Sequence, residues 1–450
     1  MRIEVAGAGS GKTSRMAMRV LSVDAPDRRI VYCVAFTNAA ADNIRDRLIR
    51  QNGTIPDNIK ISTIHSFLYS ELVRPYYHLL YGSKYKKIST ISLPSTPSYR
   101  RARLSELESM QLLHQVAIPE RAKWVVYGRA QDNARTKAMR AEVVAMFAGY
   151  CHKILVDEAQ DIDKDIRDVL LALDHAGLDI ELCGDPKQDV RGYGCFRDLV
   201  DTYLNNVSYS CECHRSPQLH LQVSNRLACE KEKQVADETN SIGSIDILFE
   251  ADEDVNGLIA SGEFGLAYIS RKNDRFNTHE NIDGDADFNS LQHELNVAIK
   301  EKHGGAMTEL EVNRLAYYIA GQMIASARDD RTIRLAISKG INDGCYDYDA
   351  KRYARMAEAL TVNDCTENNA IAVKSIEAIK GLEHEKCLFI LTTDLAPYLL
   401  GDKTDDNKTK HILYVALTRS LDNLTVLVTK EVEARYTRQQ IRDVFGAEAS

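Results

Sequence analysis

Ala6-Gly7-Ala8-Gly9-Ser10-Gly11-Lys12-Thr13 follows directly on a short apolar run at residues 3–5. A strand that breaks into a glycine-rich turn and enters a helix at Lys-Thr predicts a phosphate cradle. The glycines let successive backbone N–H groups turn toward a polyphosphate at the helix N-terminus. Ala8, Gly9, Ser10, Gly11, Lys12, Thr13 and Ser14 are the expected nucleotide contacts. In such a loop the lysine, here Lys12, reaches the β- and γ-phosphates, and the Thr13 hydroxyl is an expected Mg²⁺ ligand. The strict pattern starts with glycine; Ala6 stands there, where the turn only begins. ATP and Mg²⁺ are the ligands this stretch implies.

The rest of the composition fits that reading. The chain has 450 residues, 44% apolar and 27% charged, as soluble multidomain proteins do. No apolar run has the length of a membrane span, and Met1 leads straight into the first strand, so neither a membrane nor a secretory signal is expected. Ten cysteines without disulfide-framework spacing read as reduced thiols of a cytoplasmic protein. Cys211, Cys213 and His214 look like half a metal site, but no second pair follows at ligand spacing. The net charge is −8, so a nucleic-acid substrate would need a local channel whose field opposes the rest of the surface.

Five β-type runs in the first half, at 2–5, 30–36, 59–64, 153–157 and 179–184, are mostly continuous apolar stretches, as strands buried on both faces should be. Helical stretches at 37–50 and 163–176 lie between or beside them; the second stops at Gly177. Such alternation predicts a doubly wound parallel sheet with ligands at the carboxyl ends of its strands. A second set, at 265–270, 333–337, 370–375, 387–392 and 423–428, supplies another α/β domain. The expected fold is α/β: two parallel-sheet domains with mostly helical insertions. The expected boundaries are 1–68 and 150–205 for the first domain around an insertion at 69–149. The second domain takes 206–276 and 370–450 around a reduced insertion at 277–369.

Asp157 and Glu158 end the fourth run, in Ile154-Leu155-Val156-Asp157-Glu158-Ala159-Gln160-Asp161. There Asp157 is placed to hold Mg²⁺ and Glu158 to polarise the attacking water. Gly184-Asp185-Pro186-Lys187-Gln188 ends the next run, where Gln188 can sense the γ-phosphate; a plain Gly-Asp-Pro turn is the structural alternative.

The order of motifs resembles the UvrD/Rep-like branch of superfamily 1 DNA helicases. The cradle is similar to motif I and Phe36-Thr37-Asn38-Ala39-Ala40-Ala41 to motif Ia. Thr63-Ile64-His65-Ser66-Phe67 resembles the element that touches single-stranded DNA. Asp157–Asp161 and the Gln188 run resemble motifs II and III, and His214-Arg215-Ser216 resembles motif IV. Residues 375–383, ending in Glu383, and 413–419, ending in Arg419, resemble motifs V and VI. The resemblance implies two RecA-like P-loop parallel-sheet domains with ATP clamped between them. Lys12, Thr13, Asp157, Glu158 and Gln188 would come from the first, with Arg215 and Arg419 reaching over from the second as arginine fingers. A finger of this kind is worth on the order of 10³–10⁵ in rate. It also implies nucleotide contacts from His214 and Glu383, DNA contacts from Thr37, Asn38, Thr63, His65 and Tyr193, and 3′-to-5′ movement on single-stranded or tailed DNA.

Departures from the family stand beside the likeness. Only five residues precede Ala6, which leaves no room there for the adenine-reading glutamine segment. His214 replaces the motif IV tyrosine, Arg191 a motif III tyrosine, and Glu377 a DNA-contacting histidine of motif V. A compact motor is expected, working with a separate nuclease or a repair or defence subunit. The alternative is a DNA-stimulated ATPase that senses strands and switches such a partner with little unwinding; a small-molecule kinase would leave both arginines without a role. Residues 74–87 mix tyrosines with Lys84, Lys86 and Lys87, and suit either a strand-binding surface or a small helical core.

Overall fold

Six parallel strands form the first sheet: Arg2–Ala6 (β1), Ile30–Ala35 (β2), Ile59–Thr63 (β3), Cys151–Val156 (β4), Asp179–Gly184 (β5) and Val207–Ser210 (β6), in the order β3-β2-β4-β5-β1-β6. This computed structural model describes residues 1–26, 28–278, 284–327, 330–361 and 371–446. Five more parallel strands build the second sheet: Ser244–Phe249 (β7), Leu266–Ile269 (β8), Lys374–Ser375 (β9), His384–Leu391 (β10) and Ser420–Val428 (β11), ordered β7-β11-β10-β8-β9. Parallel pairing demands crossovers, and helices provide them. Lys12–Leu21 follows β1, and Asn38–Asn52 follows β2 with Thr37 Oγ1 accepting from Ala40 N–H as its cap. Lys164–His175 precedes β5, is capped by Asp163, and ends before Gly177 at φ 86°. The α/β class with two parallel-sheet domains is therefore observed.

Both sheets lie in one compact unit, formed by Met1–Gly82, Ile118–Thr278 and Ala370–Ser450. The second sheet buries Tyr268, Phe389, Leu391, Leu424 and Val426 under the helix Lys408–Leu417. Tyr268 and Phe389 stack with ring centroids 5.9 Å apart. The first sheet is less purely apolar than its sequence suggests. Glu4, Lys153 and Glu181 are buried on its strands, which is tolerable because each is paired: Lys153 Nζ lies 2.7 Å from Glu181, and Arg15 lies 2.6 Å from Glu4.

Ser83–Ala117 and His279–Asn369 make the second compact unit. A two-stranded parallel ribbon, Lys87–Ser89 with Leu112–His114, is joined by the helix Pro97–Ser109. Beside it the helices Gly284–His303, Glu309–Ser326, Asp330–Gly344 and Ala350–Leu360 share a core of Leu291, Leu295, Ile299, Ile319, Met323, Ile337 and Met356.

Several sequence expectations are corrected. Residues 333–337 are not a strand but the middle of a helix. Ile333, Ala336 and Ile337 are its buried positions, a spacing of three and four rather than two. The run at 370–375 divides into Ile371–Ala372 and Lys374–Ser375, while residue 370 lies outside the described residues. Strands β6 and β7 were not anticipated. Within residues 74–87, Tyr77 and Tyr81 pack on Trp124, as the helical-core reading expects, and the Tyr81 hydroxyl donates to the Trp124 carbonyl at 2.9 Å. Lys84, Lys86 and Lys87 belong to the second unit. Among the described residues no helix is long and apolar enough to cross a membrane.

Phe389 is fully buried at the centre of β10. Phe389→Ala should therefore lower unfolding free energy by about 3–5 kcal/mol, read by denaturant titration; a loss under about 1 kcal/mol would contradict this core.

Candidate nucleotide site and its arginines

Motif residues of the first sheet gather at the carboxyl ends of its strands. The cradle follows β1, Thr37 and Asn38 follow β2, Thr63 ends β3, Asp157 follows β4, and residues 185–193 follow β5. In an open parallel sheet that edge is where ligands sit.

Local geometry prepares the cradle for an anion. Gly9 and Gly11 adopt φ 71° and 75°, a region that costs a residue with a side chain. The loop's carbonyls are taken by protein donors. Gly7 O accepts from Ser10 N–H at 3.3 Å, Ala8 O from Gln234 Nε2 at 2.9 Å and from Cys213 Sγ at 3.3 Å, and Gly9 O from His214 N–H at 2.9 Å. Ser10 O accepts from the Arg15 guanidinium, which Glu4 holds, and Gly11 O from Arg15 N–H at 3.1 Å. A trans peptide points its N–H opposite to its C=O. Turning the carbonyls of Ala8, Ser10 and Gly11 into the protein therefore aims the N–H groups of Gly9, Gly11 and Lys12 the other way. The Ser10 hydroxyl is buried without a protein partner, as suits a group whose acceptor is a phosphate.

Acidic residues face this loop. Thr13 Oγ1 donates to Asp157 Oδ2 at 2.9 Å, and Lys12 Nζ lies 3.3 Å from Glu158. Glu158 sits at φ 55°, an uncommon and strained backbone for a residue of its size. Burial pushes the Asp157 carboxyl up, and the Glu158 charge adds to the rise. Burial works the same way on Glu158, but Lys12 and Lys380 outweigh it and hold that carboxyl low. Lys12 is 9% exposed; burial opposes its charge, and Glu158, Asp157 and Asp185 overcome that and keep it charged. An all-oxygen pair from Thr13 and Asp157 suits a hard cation such as Mg²⁺ that takes its other ligands from phosphate and water. Among the described residues no cluster of three or more His, Cys, Asp or Glu could hold a metal by itself.

Gln188 is held on the loop after β5 by its own neighbour. Its Nε2 donates to Asp185 Oδ2 at 3.0 Å, Asp185 N–H donates to Gln160 Oε1 at 3.0 Å, and Gln160 Nε2 donates to Glu158. A chain of hydrogen bonds thus runs from Gln188 to Glu158. Ser14 Oγ accepts from Arg47, and His214 Nδ1 lies 2.9 Å from Asp237.

The structure brings Arg215 to the loop. A Cβ on Gly9 would fall 2.6 Å from Arg215 Cβ, so glycine there leaves the space this arginine uses. Arg215 Nη1 pairs with Glu383 at 2.8 Å. Arg419 is 2% exposed and folded back on its own helix, with Nε donating to Val415 O at 3.0 Å and Nη2 to Thr418 Oγ1 at 2.9 Å. Burial and the neighbouring Arg215 charge depress its pKa to about 10. The two guanidiniums repel each other beside the cradle. A further tie crosses between the sheets: Lys380 Nζ to Asp161 at 2.6 Å.

The residues expected at DNA lie on the same edge. Thr37, Asn38 and Tyr193 are exposed, and Thr63 and His65 are half-buried. Thr37 and Thr63 spend their hydroxyls as helix caps. Tyr193 is presented by a loop in which Asp189 accepts from the N–H groups of Gly192, Tyr193 and Gly194. Sequence reasoning missed Gln234, Tyr414 and Arg15 as parts of the site. Gln234 lies in a polar run, Glu230-Lys231-Glu232-Lys233-Gln234, that gives no signal. Tyr414 was read only as a member of its motif.

Residues 2–193 match a family model described as an AAA domain. That span takes in the cradle, Asp157, Glu158 and Gln188 and stops short of Arg215 and Arg419. Gabija protein GajB of Bacillus cereus (strain VD045) is 30% identical over 191 residues, which cover 41% of this chain and 36% of that protein. The matched region is thus little more than a third of the relative's length. A solved complex of Arterivirus nonstructural protein 10 (helicase) with DNA aligns over 99% of this chain and 63% of that one, at 10% identity and a TM-score of 0.38.

Because the fold disfavours the ionised form of Asp157, its charge costs stability that appears as pH rises from the ordinary aspartate range through the raised value. Asp157→Asn should raise the melting temperature of the nucleotide-free protein by about 1–3 °C at pH 7.5, with the gain shrinking toward pH 5. A lower melting temperature at pH 7.5 would contradict the like-charge reading.

Proposed function

We propose that the chain is an ATP-hydrolysing motor of the superfamily 1 helicase type, moving 3′ to 5′ on single-stranded or tailed DNA. The observation that carries the reading is Arg215, seated against Gly9 of the cradle while Glu383 holds its guanidinium beside Arg419. Each sheet then contributes to one reaction centre.

The chain's own groups suffice to assign roles. The cradle N–H groups and Lys12 bind the polyphosphate. When Lys12 turns to phosphate it gives up Glu158, whose freed carboxylate orients the attacking water and accepts its proton. Mg²⁺ held by Thr13 and Asp157 would neutralise charge on the β- and γ-oxygens. Arg215 and Arg419, crowded together, gain most when negative charge develops between them, which is what a finger requires. Glu158's link through Gln160 and Asp185 gives Gln188 a route for sensing the γ-phosphate. Lys380 on Asp161 ties the second sheet to the acidic motif, so opening of the cleft and release of product are coupled.

Strand contacts fall to Thr37, Asn38, Thr63, His65 and Tyr193 at the same sheet edge. Tyr193 is 43% exposed, and a base stacked on it would be worth about 1–3 kcal/mol. One observation favours the alternative, a strand-sensing ATPase that switches a nuclease or other repair or defence subunit. Glu377 pairs with Lys408 at 2.5 Å and adds its charge near Arg191, which neighbours Tyr193. An acid that occupies cations on this edge weakens the grip on phosphates. Unwinding of a 3′-tailed duplex by the chain alone separates the motor from the sensor.

ATP hydrolysis should rise at least tenfold with single-stranded DNA and vanish in Lys12→Ala, whose circular dichroism should match the wild type; retained turnover would place the nucleotide elsewhere. Arg419→Ala should lower kcat by about 10³ while changing nucleotide Kd less than about threefold. Equal losses in both would remove its role as a finger.

A further inference from the structure

We propose that Gln234 is a positioning residue for the cradle, and that with Tyr414 it ties the Ala8–Gly9 peptide to the helix leading into Arg419, so that cradle and finger move as one element. The inference rests on the ATPase reading above and names how that site is held together.

Gln234 is 4% exposed and Tyr414 1%. The Gln234 amide lies directly over Gly7: a Cβ there would come within 2.2 Å of its Cδ, so only glycine admits the approach. Nε2 donates to Ala8 O at 2.9 Å, and Oε1 accepts from the Tyr414 hydroxyl at 2.9 Å. An amide is suited to this place because it donates on one side and accepts on the other. The path continues along the helix Lys408–Leu417. Tyr414 O accepts from Thr418 Oγ1 at 3.1 Å, and Thr418 Oγ1 accepts from Arg419 Nη2 at 2.9 Å. Two hydrogen-bonded segments, joined covalently through Tyr414 from its hydroxyl to its backbone carbonyl, therefore link a cradle carbonyl to the guanidinium of the second finger.

This chain has a mechanical consequence. Ala8 O and Gly9 N–H belong to one rigid peptide plane. A donor fixed on the carbonyl sets the direction of the N–H that meets phosphate. If the plane rotates as phosphate binds, the pull reaches Tyr414 and so the segment that carries Arg419. Cys213 Sγ also reaches Ala8 O, at a longer 3.3 Å, and is the weaker anchor because a thiol is a weak donor. Tyr414 is additionally steadied by Lys187, whose Nζ lies 5.1 Å from its ring centre, so the motif III loop leans on the same point.

The test uses the full chain in steady-state ATPase assays at saturating single-stranded DNA. Gln234→Met keeps the volume and removes both hydrogen bonds; Tyr414→Phe removes the hydroxyl alone. Each should raise KM for ATP and lower kcat, together about tenfold in kcat/KM, and the double variant should fall well short of the product of the two. Multiplying effects, or single variants within twofold of wild type, would overturn the proposal. So would a fall in kcat at unchanged KM, the mark of a smaller folded fraction. If the wild type binds ATP without hydrolysing it, the motor reading falls instead, and the same cycle is read in the Kd of a fluorescent ATP analogue. Independent effects on Kd would then overturn the proposal.

Discussion

The cradle works only while its carbonyls face away from the phosphates. A glycine-rich loop is free to turn either way, and a carbonyl flipped inward would present a negative dipole to a polyanion. Here the orientation is imposed from two directions. Glu4 on β1 holds the Arg15 guanidinium, which takes Ser10 O; the ribbon Glu212–Cys213 with Val235–Ala236 supplies Cys213, His214 and Gln234, which take Ala8 O and Gly9 O. The first anchor is part of the sheet that bears the loop. The second lies on the stretch of chain that leads to the other sheet, so the cradle is completed only when that stretch is in place.

Charge is concentrated in the same few residues. Asp157, Glu158 and Asp185 surround Lys12, while Arg215 and Arg419 lie together opposite. At an effective dielectric near 20, unit charges about 4 Å apart interact by about 4 kcal/mol, so neither arrangement is neutral in its consequences. The acids are stabilised by Lys12 and Lys380, and Arg215 by Glu383. In the proposed motor each partner has a second use once phosphate arrives, and the site would then exchange one set of pairs for another. The strained backbone of Glu158 points in the same direction. A carboxylate held at φ 55° is fixed by its surroundings rather than by local preference.

Much of this was legible in the sequence because the chemistry is local. The cradle, the acid pair ending an apolar strand, and the Gly-Asp-Pro turn each need neighbouring residues at fixed offsets, and each lies at a strand end as expected. Where the physics is non-local the sequence is silent. β6 has only four residues, and both β6 and β7 are largely half-buried or exposed, so neither shows the continuous apolar run of the inner strands. Ile333 to Ile337 alternates enough to imitate a strand, and only packing against Ile319 and Met323 reveals a helix. Gln234 sits among lysines and glutamates that look like a solvated surface. Its burial follows from the approach of Gly7 and Tyr414, residues 227 and 180 positions away. The charges on the first sheet escaped for a related reason: Glu4 and Glu181 are far apart in sequence, yet Arg19 lies within ion-pair distance of both.

Coupling between the sheets follows from where these tethers start and end. Arg215 packs on Gly9, Lys380 on Asp161, and Tyr414 reaches Ala8 O through Gln234. All three join residues that follow the first sheet in the chain to the loops at its carboxyl edge. Parting of the sheets with the cradle held still would break the packing of Arg215 on Gly9, an ion pair and a buried hydrogen-bond chain. The ion pair can re-form with water, but the buried amide and hydroxyl cannot be left unpaired without a cost of about 1–3 kcal/mol each. The cheaper course is for Gln234 and Tyr414 to stay together and carry the Ala8–Gly9 peptide with them. Opening would then disorder the cradle as well as withdraw Arg215 and Arg419, and in the proposed motor nucleotide binding and catalysis would be gained and lost in the same motion.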